Sequence, residues 1–452
     1  MKRSIFSDGL MKKACLLGAL SLLSACSLVR FQPIQTISKV DHTQGYRLQA
    51  EIDRKRDDPN DDMFVVLLFS GGGTRAAALG YGVLEQLQQQ KIHHQGKEMP
   101  LLEQVDLVYG VSGGSVLATY FSLYGKETIP SFERRFLKQN FQRQLAKQAF
   151  SMANLPRLTS PEFGRGDLLQ EQFESSLFRK ATFNDLDKHR KGPFAVISAT
   201  DMAIGNRLDF TQENFDALCL NLSDMPLARA VAASSAVPLI FAPITLNNNG
   251  GHCGYTLPAP LRQSMNESEP DKLQSQTRQE VVSNKITSYE DSRSRPYIHL
   301  LDGGLTDNLG LRNLLDISEI YSANALHEQF LGGKIKKIVI INVNAQNKLA
   351  SKIDESAAVP GIADVINAIV NIPIDQYSQE SLRRFRAFAD EWNEKMRESK
   401  SGREVGLYFV SLNLLDLPES QLRQNVLNIP TRGRLRKRKI KHAKPVAAAV
   451  AA

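Results

Sequence analysis

Cysteine is scarce in this chain. Four occur in 452 residues, and none joins a His/Cys cluster at zinc-site spacing, so no structural zinc is expected; no cofactor is expected either. No internal repeat is visible. No apolar run found here can span a bilayer: the stretch 14–25 has twelve mostly apolar residues and the run 63–69 has seven, against a need of about 20. Acids are missing from the block 432–444, which holds eight Lys or Arg; without it the formal charge of +8 falls to zero. The basic character therefore belongs to a C-terminal tail, placed at 418–452, and such blocks either bind partners or stay solvated. What remains is ordinary for a globular protein, at 42% hydrophobic and 23% charged. The residues after position 62 can bury one sizeable core and a flank.

The most informative stretch present is 105–121. An apolar strand (Val105–Val111) enters Gly110-Val111-Ser112-Gly113-Gly114 and then a helix-like segment. Gly-x-Ser-x-Gly between strand and helix is a nucleophile elbow, a strained turn that holds the serine clear of the sheet. Gly110 and Gly114 leave the room that turn needs. The helix after Ser112 aims its positive end at the place where an anionic intermediate would form. Upstream, the buried-strand pattern of Met63–Phe69 runs into Ser70-Gly71-Gly72-Gly73-Thr74-Arg75 and a helical pattern. Three glycines there expose backbone N–H groups in a concave loop suited to an anion. The same residues fit the dinucleotide pattern G-x-G-x-x-A, but the required acid at the next strand end is absent: 91–97 reads Lys-Ile-His-His-Gln-Gly-Lys. A third strand, 296–302, ends on Asp302-Gly303-Gly304. In an open α/β sheet, strand C-termini line one crevice, which would bring Asp302 to the edge that carries Ser112. Asp307 reads as a cap or turn former.

In that order, Gly71-Gly72-Gly73-Thr74-Arg75, Gly110-Val111-Ser112-Gly113-Gly114 and Asp302-Gly303-Gly304 resemble the patatin-like lipid acyl hydrolases. Ser198-Ala199-Thr200-Asp201 and Ala232-Ala233-Ser234-Ser235-Ala236-Val237-Pro238 look like further landmarks, and the resemblance covers roughly 63–344. Many members carry aspartate where Ser70 stands and glycine where Ala76 stands. The resemblance implies an α/β, three-layer α/β/α fold with a mostly parallel central sheet and a Ser–Asp dyad. It implies an ester hydrolase acting on phospholipids or lysophospholipids: Ser112 as nucleophile, Asp302 as base, and an oxyanion hole from Gly71, Gly72, Gly73 and Gly113. Arg75 would either orient the loop or bind substrate through a lipid phosphate. Burial should raise Asp302 above the ordinary aspartate pKa of about 3.9. A histidine base stays in view: His299, three residues before Asp302, should face the other side of its strand, whereas His252 in a glycine-rich loop is open. An acyltransferase using the same acyl-enzyme, or a non-catalytic envelope scaffold, are the rival readings.

The chain begins with a basic head (Lys2, Arg3, Lys12, Lys13) before the apolar stretch 14–25, a signal-peptide pattern. Leu23-Ser24-Ala25-Cys26 resembles the bacterial lipobox, so lipidation at Cys26 and membrane anchoring are expected. Ser27 beside it resembles the outer-membrane sorting signal. With that anchor, the tail suits anionic lipid or an envelope polyanion better than nucleic acid. The expected organisation is a signal (1–25), a polar tether (26–62), a catalytic domain (63–417) with a mobile polar excursion at 262–295, and the tail. Strands are expected at 63–69, 105–111, 193–199, 296–302, 336–343 and 405–413, alternating with helices. Phe132, Phe136, Phe141, Leu145 and Ala149 recur at helical spacing opposite basic residues, which suggests one amphipathic helix docked on the core or turned to lipid. Cys219 and Cys253 are left for a disulfide that the sequence does not settle.

Overall fold

The computed structural model describes residues 29–94, 96–258, 262, 273–320, 335–346, 357–398 and 405–416. The expected signal segment (1–25), Cys26 and the basic tail lie outside these residues. Five strands run parallel: β1 (Met63–Phe69), β4 (Val105–Val111), β5 (Phe194–Asp201), β9 (Lys337–Asn344) and β10 (Gly406–Asn413), in the spatial order β10-β9-β1-β4-β5. The apolar runs of the inner strands follow from cover on both faces, with β5 buried along its whole length, whereas the edge strand β10 exposes Tyr408 and Val410. Helices α2 (Gly73–Gln89) and α3 (Gly113–Tyr124) leave the C-terminal ends of β1 and β4. A separate hairpin joins β2 (Lys91–His94) to β3 (Lys97–Pro100).

The remaining sheet is antiparallel: β6 (Arg207–Asp209) and β8 (Tyr297–Asp302) pair with β5, and β7 (Ile244–Asn247) pairs with β8. This corrects the expected route of Asp302. Strand β8 runs against β5, and only Leu300, Leu301 and Asp302 pair with it, opposite Asp201, Thr200 and Ala199. It therefore enters the sheet from beyond the edge where β4 ends, and Asp302 is the last residue of that entry. Since Val111 is level with Ser198, Asp302 arrives at the height of Ser112 from the opposite direction.

Three expectations about the periphery change. The stretch 29–62 is pinned to the domain, so it is no free tether. Thr36 bridges Leu220, Tyr46 is fully buried with its hydroxyl donating to the Ala195 carbonyl at 2.9 Å, and Arg47 pairs with Asp216 at 2.8 Å. Helix α1 (Leu48–Arg56) then brings Lys55 against Asp61 and, at 2.6 Å, Asp106. The charged run 53–62, polar by composition, is tied down by these pairs. The polar excursion carries helix α6 (Leu273–Glu290), whose Tyr289 is buried and whose Lys285 donates to the Arg207 carbonyl at 2.8 Å; Arg295 then pairs with the buried Asp201 at 2.8 Å. The aromatic series 132–149 is no single helix. A π turn (Glu133–Leu137), which holds Phe136, and a break after it separate Phe132 from α4 (Phe141–Ala149), which Asn140 caps by accepting from the Arg143 N–H at 3.0 Å. Phe132 stacks on Tyr81 and Phe136 inside the core. Cys219 and Cys253 form a disulfide, with Cα atoms 5.6 Å apart.

Candidate active site

Ser112 sits where β4 stops and α3 begins, at φ 50 and ψ −121. A non-glycine residue seldom adopts such a conformation, at a cost of order 1–3 kcal/mol. The surroundings hold it: its N–H donates to Ser234 Oγ at 2.9 Å, and its carbonyl accepts from the Ser115 N–H at 3.0 Å and from Ser115 Oγ at 2.6 Å. The flanking glycines are steric necessities. A Cβ on Gly110 would lie 2.5 Å from Ser115 Cα, and one on Gly114 would lie 2.6 Å from the Ser70 carbonyl oxygen.

The Ser112 hydroxyl donates to Asp302 Oδ2 at 2.7 Å. The other carboxylate oxygen accepts from the Gly304 N–H at 2.8 Å. The backbone of Asp302 is held as well, its N–H donating to the Ala236 carbonyl at 3.0 Å and its own carbonyl accepting from Thr200 Oγ1 at 2.9 Å. Both residues are 7% exposed, so a substrate carbonyl would meet them in largely dry surroundings, where charge–dipole interactions strengthen. Ser234 and Asn308 belong to the candidate site, although neither was legible there as a site residue in the sequence. Ser234 lay inside the quoted run 232–238, and Asn308 lay six residues beyond Asp302.

The glycine loop borders Ser112, but its members differ. The Gly71 N–H is committed to the Asn308 carbonyl at 3.0 Å, which removes Gly71 from the expected oxyanion donors. Gly72 (φ 130) and Gly73 (φ 62) adopt conformations that suit glycine. Gly72 precedes α2 and Gly73 opens it, as Gly113 opens α3; the first N–H groups of a helix have no partner within it. Arg75 does not reach out toward a lipid phosphate. It is buried, and its Nε donates to the Ala345 carbonyl at 3.1 Å just past β9, so it braces the loop. Desolvation lowers its pKa, partly offset by Asp375. Ser70 ties the same two loops: its Oγ accepts from the Ala345 N–H at 2.9 Å.

The two histidines considered as bases are engaged elsewhere. His299 faces outward on β8 with Nδ1 3.0 Å from Thr245 Oγ1, and His252 Nδ1 is 3.0 Å from the Gly250 carbonyl. Asp307 does cap a helix, accepting from the Arg312 N–H at 2.9 Å. It also lies 3.6 Å from Arg207, and burial pushes its pKa up to about 6 against that charge. Among the described residues the metal-like grouping is Asp61, Asp62 and His94. The Lys55 ammonium against Asp61 already supplies positive charge there.

A family model described as patatin-like phospholipase matches residues 67–315, more than half of the chain. The chain belongs to the patatin-like phospholipase family. Its fold is the patatin fold, a mostly parallel mixed sheet between helical layers. Comparison with curated protein sequences gives no match. Among solved structures, human GIVD cytosolic phospholipase A2 is similar at 12% identity and a TM-score of 0.37, over 68% of this chain and 51% of that one. Its complex with methyl gamma-linolenyl fluorophosphonate matches at 12% identity and a TM-score of 0.40, over 93% and 64%. The chain thus spans about half to two thirds of the length of those structures.

Proposed function

We propose that this patatin-like protein is a serine lipid acyl hydrolase that cleaves carboxylic ester bonds of phospholipids or lysophospholipids. The observation that carries the reading is the 2.7 Å hydrogen bond from Ser112 Oγ to Asp302 Oδ2, between two buried residues. Family membership supports it. Ser112 Oγ attacks the ester carbonyl carbon while its proton passes to Asp302 Oδ2. The carbonyl oxygen becomes an oxyanion at the N-termini of α2 and α3, where the N–H groups of Gly72, Gly73 and Gly113 are its donors. The tetrahedral intermediate collapses by breaking the bond to the alcohol oxygen, and Asp302 returns the proton to that leaving group. Water then attacks the acyl-enzyme, with Asp302 taking its proton, and releases the fatty acid and free Ser112. The Gly304 N–H and the fixed Asp302 backbone keep the carboxylate oriented through both half-reactions. If an alcohol replaces water in the second step, the same groups make the protein an acyltransferase. The sequence Leu23-Ser24-Ala25-Cys26 supports lipid anchoring through Cys26 at a bacterial outer membrane.

The test is incubation of the purified protein with a panel of phospholipids and lysophospholipids, with products identified by mass spectrometry. Free fatty acid plus the deacylated lipid is expected from wild type and from neither Ser112→Ala nor Asp302→Asn. Acyl transfer to an alcohol without fatty acid release would favour the transferase. No acyl product from any lipid would refute the reading.

A further inference from the structure

Helix α9 (Ile362–Glu398) has 37 residues and two unlike halves. The second half is an amphipathic helix: Leu382, Phe385, Ala389, Trp392 and Met396 are buried. Trp392 Nε1 donates to the Val405 carbonyl at 2.8 Å near the start of β10, and Phe385 meets Phe409 with ring centroids 4.8 Å apart. Gln346, just past the C-terminal end of β9, donates through Nε2 to Asp375 Oδ1 at 2.8 Å. The helix therefore runs antiparallel to β9 and β10, and at Asp375 it has reached the edge of the sheet that carries the glycine loop and Ser112. Thirteen residues still precede Asp375 in the helix, 362–374. At 1.5 Å per residue they extend it about 20 Å past that edge. Pro373, which cannot donate a helical N–H, marks the junction.

These thirteen residues have a composition that water does not favour. Asp364 is their sole charge. Ile362, Val365, Ile369 and Ile372 are exposed, Ile362 at 81% and Ile369 at 66%, and Val359 just before the helix is 92% exposed. Exposure is not confined to one stripe: Asp364, Asn367 and Pro373 are exposed as well. A helix apolar around most of its girth suits a lipid environment better than a single packing face. Among the described residues no helix is long and apolar enough to cross a membrane. Across the crevice, the Ala236 carbonyl accepts from the Asp302 N–H, and three residues on Leu239 is 63% exposed. Apolar side chains thus stand on both flanks of the catalytic edge.

We infer that the N-terminal four turns of α9, residues 362–374, are an interfacial helix that enters the headgroup–acyl boundary of a phospholipid membrane and holds the catalytic edge against it. The segment lies beyond residues 67–315, which the family model matches. With one charge, it requires no anionic lipid, and a zwitterionic surface suffices. The choice of lipid as occupant rests on the proposed hydrolase activity, but the contact itself is measurable without catalysis.

The experiment uses the full-length protein produced without lipidation and carrying Ile369→Trp. Trp392, the only tryptophan of the chain, is buried and serves as an internal constant. Adding phosphatidylcholine vesicles should shift the new emission to the blue, and lipids brominated on their acyl chains should quench it. Ile362→Glu with Ile369→Glu should weaken vesicle adsorption, and the ratio of vesicle to soluble short-chain ester turnover should fall about tenfold or more. Emission already blue-shifted without lipid and unquenched by brominated acyl chains would mean that protein covers the helix, and would overturn the inference. So would adsorption unchanged by the two glutamates, or a wild-type dimer in sedimentation that they convert to monomer. Lipid-dependent quenching in a protein that hydrolyses no lipid would leave this inference standing while removing the hydrolase reading.

Discussion

Gly113→Ala probes the contact between the elbow and the glycine loop. An ideal Cβ on Gly113 would lie 2.5 Å from the carbonyl carbon of Gly73, 2.6 Å from its Cα and closer still to its oxygen. All three atoms are backbone, so no side chain can swing aside. Restoring contact to about 3.4 Å requires elbow and loop to part by about 0.9 Å or more. Overpacking of this kind costs about 1–3 kcal/mol of stability. The catalytic cost should be larger. A shift of about 1 Å in reacting groups can lose roughly 100-fold, and removal of one oxyanion donor loses about 100- to 1,000-fold in kcat. Because Gly73 and Gly113 open the two helices that flank the proposed oxyanion site, kcat on a soluble short-chain ester should fall about 100-fold, with KM changing far less. Urea unfolding of the same preparation would give the stability loss. A kcat within twofold of wild type would show that the loop and the elbow do not jointly hold the oxyanion.

Three other outcomes are expected. Ser234→Ala leaves the buried Ser112 N–H without its acceptor, which should cost about 1–3 kcal/mol in urea unfolding; no loss would mean that the elbow is held by other contacts. Asp106 is pushed up to about 6 by burial, against the pull of Lys55, so its contribution is most favourable below the unfolded value and is lost as pH rises through about 6. The stability advantage of wild type over Asp106→Asn should therefore shrink between pH 4 and 7 at about 1.4 kcal/mol per unit of pKa difference, and an advantage that grows would reverse the sign. Cys26→Ala should abolish incorporation of a fatty acid analogue in metabolic labelling; an unlabelled wild type would remove the lipid anchor.

The elements that carry the candidate site were legible because their patterns are local. Strand, glycines and serine around Ser112 are contiguous, and a buried parallel strand such as Met63–Phe69 is apolar throughout. Long-range geometry was less visible. The sequence 297–302 reads as a strand whichever way it runs, so the antiparallel entry of Asp302 could not be seen. The role of Arg75 depended on Ala345, 270 residues away, and the loss of Gly71 as a donor depended on the Asn308 carbonyl. Polar composition misled at 46–62 and 273–295, where ion pairs such as Arg47–Asp216 and Arg295–Asp201 dock segments with little apolar area. The aromatic spacing of 132–149 suggested one amphipathic helix, docked on the core or turned to lipid, yet a break divides the series and Phe132 is buried; exposed apolar side chains stand at 362–372 and, just past α4, at Phe150 and Met152.

Intact-mass analysis during turnover of a slowly deacylated long-chain ester tests the dyad most directly. Wild type should gain the mass of one acyl group, peptide mapping should put it on Ser112, and Asp302→Asn and Ser112→Ala should gain none. His252→Ala should acylate as wild type does. An adduct on another residue, or an Asp302→Asn protein that acylates at the wild-type rate, would contradict the Ser112–Asp302 mechanism.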